Sequence, residues 1–138
     1  MQSANDGRRQ RSPAPYRELH VPVTVDEVRA LAASLPRSYE AHVRGHVKFR
    51  IGQIVYLSLA PDGSAMGCAF PKEFRAAAVE AEPEKFALPS ASDMRFNWIH
   101  VNLSALDADE LRDLVEDAWA RVVPKYVAAE YAARQGYA

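Results

Sequence analysis

The sequence predicts an α+β two-layer sandwich, an antiparallel sheet with its helices gathered on one face. Three observations carry this. Capping boxes near residues 24 and 107 open helical apolar stripes toward either end of the chain. Between them lie short segments that alternate apolar and polar with period two. Turn signals, not long crossovers, join most of these segments, which favours antiparallel hairpins.

The elements follow in order. "TVDE" at 24–27 lets the Thr24 hydroxyl accept from the Glu27 amide while the Glu27 carboxylate reaches back. Val23 and Val28 suit a hydrophobic staple. Val28, Leu31, Ala32 and Leu35 form the buried stripe, and Pro36 stops the helix. Residues 40–51 alternate as strand. "QIVYLSLA" (53–60) is rich in β-branched and aromatic residues and is expected to be buried. "PDG" turns the chain and "SAMGCAF" (64–70) returns. Pro71 opens a second helix, with Phe74 and Val79 facing the core. "EKFALPSASD" reads as loop or short strand, and "MRFNWIHVNL" (94–103) as an alternating strand. "DADE" at 107–110 caps a helix whose stripe is Leu111, Leu114, Val115, Ala118, Trp119 and Val122. Pro124 ends or kinks it. "KYVAAEYAARQ" continues as a separate helix that frays or packs on a partner. The order is α-β-β-β-β-α-β-α, give or take a strand.

Composition bounds the rest. The chain has 138 residues, enough for one domain with its own core. Net charge is −1, so nucleic-acid affinity has to come from a local patch. The single cysteine, Cys68, allows no internal disulfide and fits a reducing cytoplasm. No run of about 18 apolar residues suggests a membrane span. The first 21 residues read as a disordered basic tail with Arg8, Arg9 and Arg11, either a leader or an arm for nucleic acid. Residues 22–128 form the single domain, and 129–138 a helical extension or tail.

Four segments, in this order, are similar to the MmcQ/YjbR family: "FRIGQIVYLSL" (49–59), "GCAFPKEF" (67–74), "MRFNWIHVNL" (94–103) and "DELRDLVEDAWARVV" (109–123). The similarity spans roughly residues 24–128. Phe49, Gly52, Cys68 and Trp98 match the family's aromatic, hairpin glycine, cysteine and tryptophan. It implies a YjbR/CyaY-like fold, as in the frataxin-type sandwich, and a small bacterial protein of a family labelled DNA-binding. Family members also lie near drug-resistance genes, which implies sequestration of an aromatic compound as another role. The family usually has a lysine after the hairpin glycine; Gln53 stands there instead.

The candidate site is a cationic row. His42, Arg44, His46, Lys48 and Arg50 fall on alternate positions. Arg44, Lys48 and Arg50 supply fixed charge; His42 and His46 add charge only in acidic solution. Phe96, Trp98, His100 and Asn102 share one face of the late strand, where the aromatic rings are able to stack on exposed bases. Three phosphate contacts imply a log–log salt slope near −3, hence weak and salt-dependent DNA binding. The same pattern also suits the wet side of a half-buried sheet or a charged edge strand. Gly45 decides whether the row holds together. A two-residue turn at Arg44-Gly45 pairs Val43 with His46 and breaks the pattern. A three-residue loop or an unbroken strand preserves it and leaves Val43, Val47, Phe49 and Ile51 on one buried face; these are the expected arrangements. A tight Gly52-Gln53 hairpin instead continues the cationic face into Val55 and Leu57.

Other chemistry finds little support. His42 and His46 on one face of a strand lie about 13 Å apart, too far for one ion. Asp26 and Glu27 are explained by capping. No metal or other cofactor is expected. Cys68 has no adjacent histidine or lysine and reads as a buried structural thiol. No catalytic triad, P-loop or dinucleotide motif is present, so the expectation is a non-enzymatic binding protein. Trp119 belongs to the core stripe. Trp98, of opposite parity to Ile99 and Val101, is either a binding residue on an open sheet face or covered by the C-terminal segment or a second subunit. The alternatives to DNA are a small aromatic ligand near Trp98 or a protein partner. Oligomeric state is left open.

Overall fold

Thr24 and Glu27 exchange the two bonds that their spacing predicts, amide to hydroxyl at 3.2 Å and amide to carboxylate at 2.8 Å. They start α1, Val25–Ser34, in a computed structural model that describes residues 21–136. The expected tail therefore lies outside the described residues, apart from an exposed Val21. Four strands follow: β1 Tyr39–Val43, β2 His46–Ile51, β3 Ile54–Leu59 and β4 Ala65–Ala69. Then come α2 Lys72–Ala81, β5 Phe86–Ala87, β6 Trp98–Asn102, α3 Ala108–Ala120 and α4 Lys125–Arg134. The six strands form one antiparallel sheet in the order β1-β2-β3-β4-β6-β5. This is the expected α+β architecture, with one short strand added at the edge.

Alternation sorts the sheet into two faces. Phe49, Leu57, Leu59, Met66, Cys68, Ile99 and Val101 are all buried on the inner one. Helices α1 and α3 supply Val28, Ala32, Leu111, Val115, Ala118 and Trp119 to the same core. Trp119 is seated by its indole N–H, which donates to Pro36 O at 2.9 Å. Fully burying one such large side chain contributes about 1.5–3 kcal/mol. The second capping box, Asp107 with Glu110, starts α3 as its spacing predicts.

Helix α4 packs on its own chain. Tyr131 meets Trp119 edge-on at 5.0 Å and donates to a Glu116 carboxylate oxygen at 2.5 Å. Its Val127 and Tyr131 are buried against the rest of the chain.

Three local expectations are corrected. Phe74 is 62% exposed; Arg75, one position on, turns inward instead. Met94–Asn97 is not strand, and only Trp98–Asn102 pairs. The preceding stretch makes a short 3-10 turn at Ala91–Asp93.

The third correction concerns Gly45. Arg44 (φ 52°) and Gly45 (φ 81°) both adopt left-handed backbone and form a two-residue turn. That is the type I′ geometry whose twist matches paired strands. Val43 therefore stands opposite His46, and His42 opposite Val47. The arginine accepts an unfavourable φ for this turn. Near the other end of β1, Arg29 of α1 grips the Glu40 carboxylate with two bonds, 2.7 and 3.1 Å long.

A bulge then resets β3. Phe49 pairs with Leu57 but Arg50 pairs with Val55, so Tyr56 is the extra residue. Tyr56 and Leu57 are both fully buried. The Tyr56 hydroxyl is matched to Ser38 Oγ at 2.7 Å, and burial pushes its pKa up to about 12.

Candidate functional site

The outer face of the sheet is built by register. Lys48 pairs with Ser58, Ser58 with Gly67, and Gly67 with His100. These four residues make one row across β2, β3, β4 and β6. Parallel to it, Ala69 pairs with Trp98. Small side chains at Ser58, Ala65, Gly67 and Ala69 leave a trough between the taller neighbours. The result is an open groove of about 700 Å³. His46 and Lys48 line one side, Trp98 and His100 the other. Ile54, Val55, Phe96 and Val122 make one part apolar, and Arg121 and Asp93 add one charge of each sign.

Trp98 is the central feature. Its indole lies over Gly67: a Cβ placed there would stand 2.8 and 2.9 Å from Cε2 and Cζ2, and closer still to Nε1. Gly67 does not need left-handed backbone. Its lack of a side chain serves the indole. Trp98 remains half-buried, and helix α4 lies on the helical layer away from it.

The Trp98 wall is held from behind by Arg75. This residue is only 5% exposed. Its guanidinium donates to Met94 O at 2.7 Å and to Phe96 O and Trp98 O at 2.9 Å each. Lys72 adds a bond to Arg95 O at 3.1 Å, and its amide donates to Asn97 Oδ1 at 3.0 Å. A permanent charge with three carbonyl acceptors thus fixes the segment that carries Phe96 and Trp98.

The predicted cationic row does not survive as one surface. His46, Lys48 and Arg50 share the outer face, and the first two line the groove. Arg44 sits in the turn and does not line it. His42 projects to the other side, where its Nε2 meets Glu40 Oε2 at 2.8 Å. The bonds to Arg29 first, then His42, hold the Glu40 carboxyl below its ordinary pKa. Arg50 stands on the outer face between Tyr39 and Val55, away from the groove lining. Among the described residues its buried Nε has no hydrogen-bond partner.

The bulge also corrects the expected neighbour of Lys48. It stands beside Ser58, not Leu57, and its Nζ donates to Ser58 Oγ at 3.3 Å. Trp98, His100 and Phe96 do meet Lys48 and His46 in one place, although Phe96 arrives from a turn.

Sequence reasoning missed Ser58, Gly67 and Arg121. Gly67 carried a signal: a glycine inside a strand often marks close approach of another group. Arg121 carried none, because one polar residue past a helix stripe looks like ordinary surface.

Cys68 is fully buried on the inner face, and burial raises its thiol pKa to about 12. It is a packing residue at neutral pH. Among the described residues, no three histidine, cysteine or acidic side chains gather closely enough to hold a metal. Nor is any described helix long and apolar enough to cross a membrane.

The fold and groove define a class: a two-layer α+β protein with one sheet face packed under helices and the other open as a trough. The chain belongs to the YjbR family, whose model matches residues 33–121. Its fold is similar to the crystal structure of Deinococcus radiodurans protein DR2400, which carries the domain DUF419. The TM-score is 0.64 at 20% identity, over 81% of this chain and 91% of the other. No curated protein matches the chain.

Proposed function

We propose that this chain is a non-enzymatic, cytoplasmic bacterial protein that binds DNA with unpaired bases in the outer-face groove. One observation carries the reading: a half-exposed tryptophan and a lysine with no carboxylate partner among the described residues occupy the same groove. Stacking on an aromatic ring contributes about 1–3 kcal/mol per base. A duplex keeps its bases stacked on each other and offers the indole nothing, so single strands are preferred. The displacement of Arg44 into the turn and of His42 to the opposite face also breaks the continuous cationic track that a duplex backbone would follow.

The charge count sets the salt dependence. Lys48 and Arg121 are the groove's fixed cations, and neither has a carboxylate partner among the described residues. Two contacts to a single strand give a log–log slope near −1.4, about a sevenfold loss of affinity between 50 and 200 mM salt. Fluorescence anisotropy with labelled single-stranded and duplex oligonucleotides at 50 mM salt tests this. Trp98→Ala is expected to weaken single-strand binding at least fivefold. Lys48→Ala is expected to lower the salt slope by about 0.7, and Arg44→Ala to leave it unchanged. No binding at tens of micromolar protein, or equal binding by Trp98→Ala, refutes the reading.

A small aromatic ligand is the second reading. The groove volume of about 700 Å³ favours it, since small-molecule sites span roughly 300–1,000 Å³. An uncharged ligand would bind without salt dependence and be lost in Trp98→Ala.

A further inference from the structure

We infer that Lys48, Ser58 and the Trp98 indole N–H form an oxyanion subsite, so that the groove's ligand is an anion with a flat apolar body. The inference rests on the reading that the groove is the binding site and names what it takes. Lys48 spends one N–H on the Ser58 oxygen. An ammonium has two more to give, and a hydroxyl that has accepted from lysine still donates its own proton. Trp98 Nε1 is a donor only. It lies over Gly67, the residue directly paired with Ser58. The Ser58 side chain and the indole nitrogen over Gly67 therefore stand above paired positions of neighbouring strands, which run about 4.8 Å apart. A carboxylate or phosphate group spans that gap with two oxygens, each accepting at about 2.8–3.0 Å.

Lysine and the indole N–H only donate, the Ser58 hydroxyl has a proton to give, and the His100 ring offers at least one N–H. The groove's one acidic side chain, Asp93, comes from the 3-10 turn beyond β5, not from the row. A neutral hydrogen-bonding ligand would need acceptors matched by some donors of its own; an oxyanion needs acceptors alone. The rest of the ligand faces Phe96, Ile54, Val55 and Val122, which receive an apolar surface. The same chemistry comes either from a phosphate within a DNA strand or from a free aromatic carboxylate or phosphate.

The test follows the Trp98 indole N–H by nuclear magnetic resonance of the full chain, assigned with Trp98→Phe. The probes are thymidine 5′-monophosphate, thymidine, benzoate, benzyl alcohol and a thymidine hexanucleotide. The inference expects saturable indole shifts with both anions, and at least tenfold weaker binding of each uncharged counterpart. Lys48→Ala and Ser58→Ala should each reduce that preference at least threefold. Both replace groove-lining, partly exposed side chains, so the fold should persist. Its persistence is checked by an unchanged Trp119 indole signal.

Equal binding of thymidine and its monophosphate, with the hexanucleotide still bound, overturns the subsite and leaves the DNA reading intact. Binding of the two small anions without the hexanucleotide supports the subsite and overturns the DNA reading. If no probe moves the Trp98 signal, both fall.

Discussion

Replacing Gly67 by alanine tests the platform on which the groove is built. The new Cβ would lie 2.8 Å from Trp98 Cε2 and 2.9 Å from Cζ2. Ordinary carbon contacts begin near 3.4 Å, so the ring must lift by roughly 0.6 Å or more; a gap of that order forfeits a quarter to a half of a contact's attraction. Arg75 holds the Trp98 carbonyl at 2.9 Å, which leaves the side chain, not the backbone, to move. Overpacking of this kind costs about 1–3 kcal/mol. Alanine returns about 0.4–1 kcal/mol by restricting the unfolded chain, because the Gly67 backbone suits an L-residue. The net expectation is a loss of about 1–2 kcal/mol. For a domain of this size that lowers Tm by about 4–8 °C. Circular-dichroism melts measure it, and the Trp98 indole resonance should shift in the same variant. A Gly67→Ala protein as stable as the parent, with its Trp98 signal unmoved, would refute the placement of the indole and the groove with it.

Other expectations concern the supports. Arg75→Ala removes three bonds from a buried charge; at about 1.5 kcal/mol each and with partial rescue by water, it should cost about 3–4 kcal/mol in a urea melt. Arg75→Lys should recover part of this and leave the Phe96–Trp98 wall more mobile, seen as faster amide exchange at 94–98. Glu40 has its pKa lowered from an ordinary 4.5, chiefly by Arg29. A depressed carboxylate stabilises the fold above its unfolded pKa and loses that contribution as pH falls through the folded one. Arg29→Gln should therefore flatten the fall of Tm below pH 4.5, and the difference from the parent should shrink in high salt, since the pair is exposed.

Much of the fold was legible because the signals were local. A capping box needs only residues three apart, and both boxes form. Period-two alternation placed Phe49, Ile51, Ile99 and Val101 in the core. The site was less legible because it depends on register across strands. Whether Arg44 shares a face with Lys48 turns on one loop length, and the chosen loop asks an arginine to take a φ that its own preference opposes. Strand parity brought Trp98 and His100 to one face correctly. It had no means of showing that the indole folds back onto β4, since that needs a missing side chain on a neighbouring strand.

The extra residue in β3 has a consequence for how such a groove changes over generations. Counted straight back from Arg50 opposite Val55, the strand would set Leu57 beside Lys48 and turn Ser58 into the core. One additional backbone unit exchanges them. The polarity of the groove floor thus depends on the bulge staying in place. A strand that kept every residue but ran without the bulge would present leucine where this protein presents a hydroxyl. Loss of Tyr56 itself would not, because Leu57 would still face Phe49 and Ser58 would still face Lys48. Deletion of that one codon therefore spares the groove floor and removes a buried tyrosine, whereas straightening the strand exchanges the floor without removing any residue.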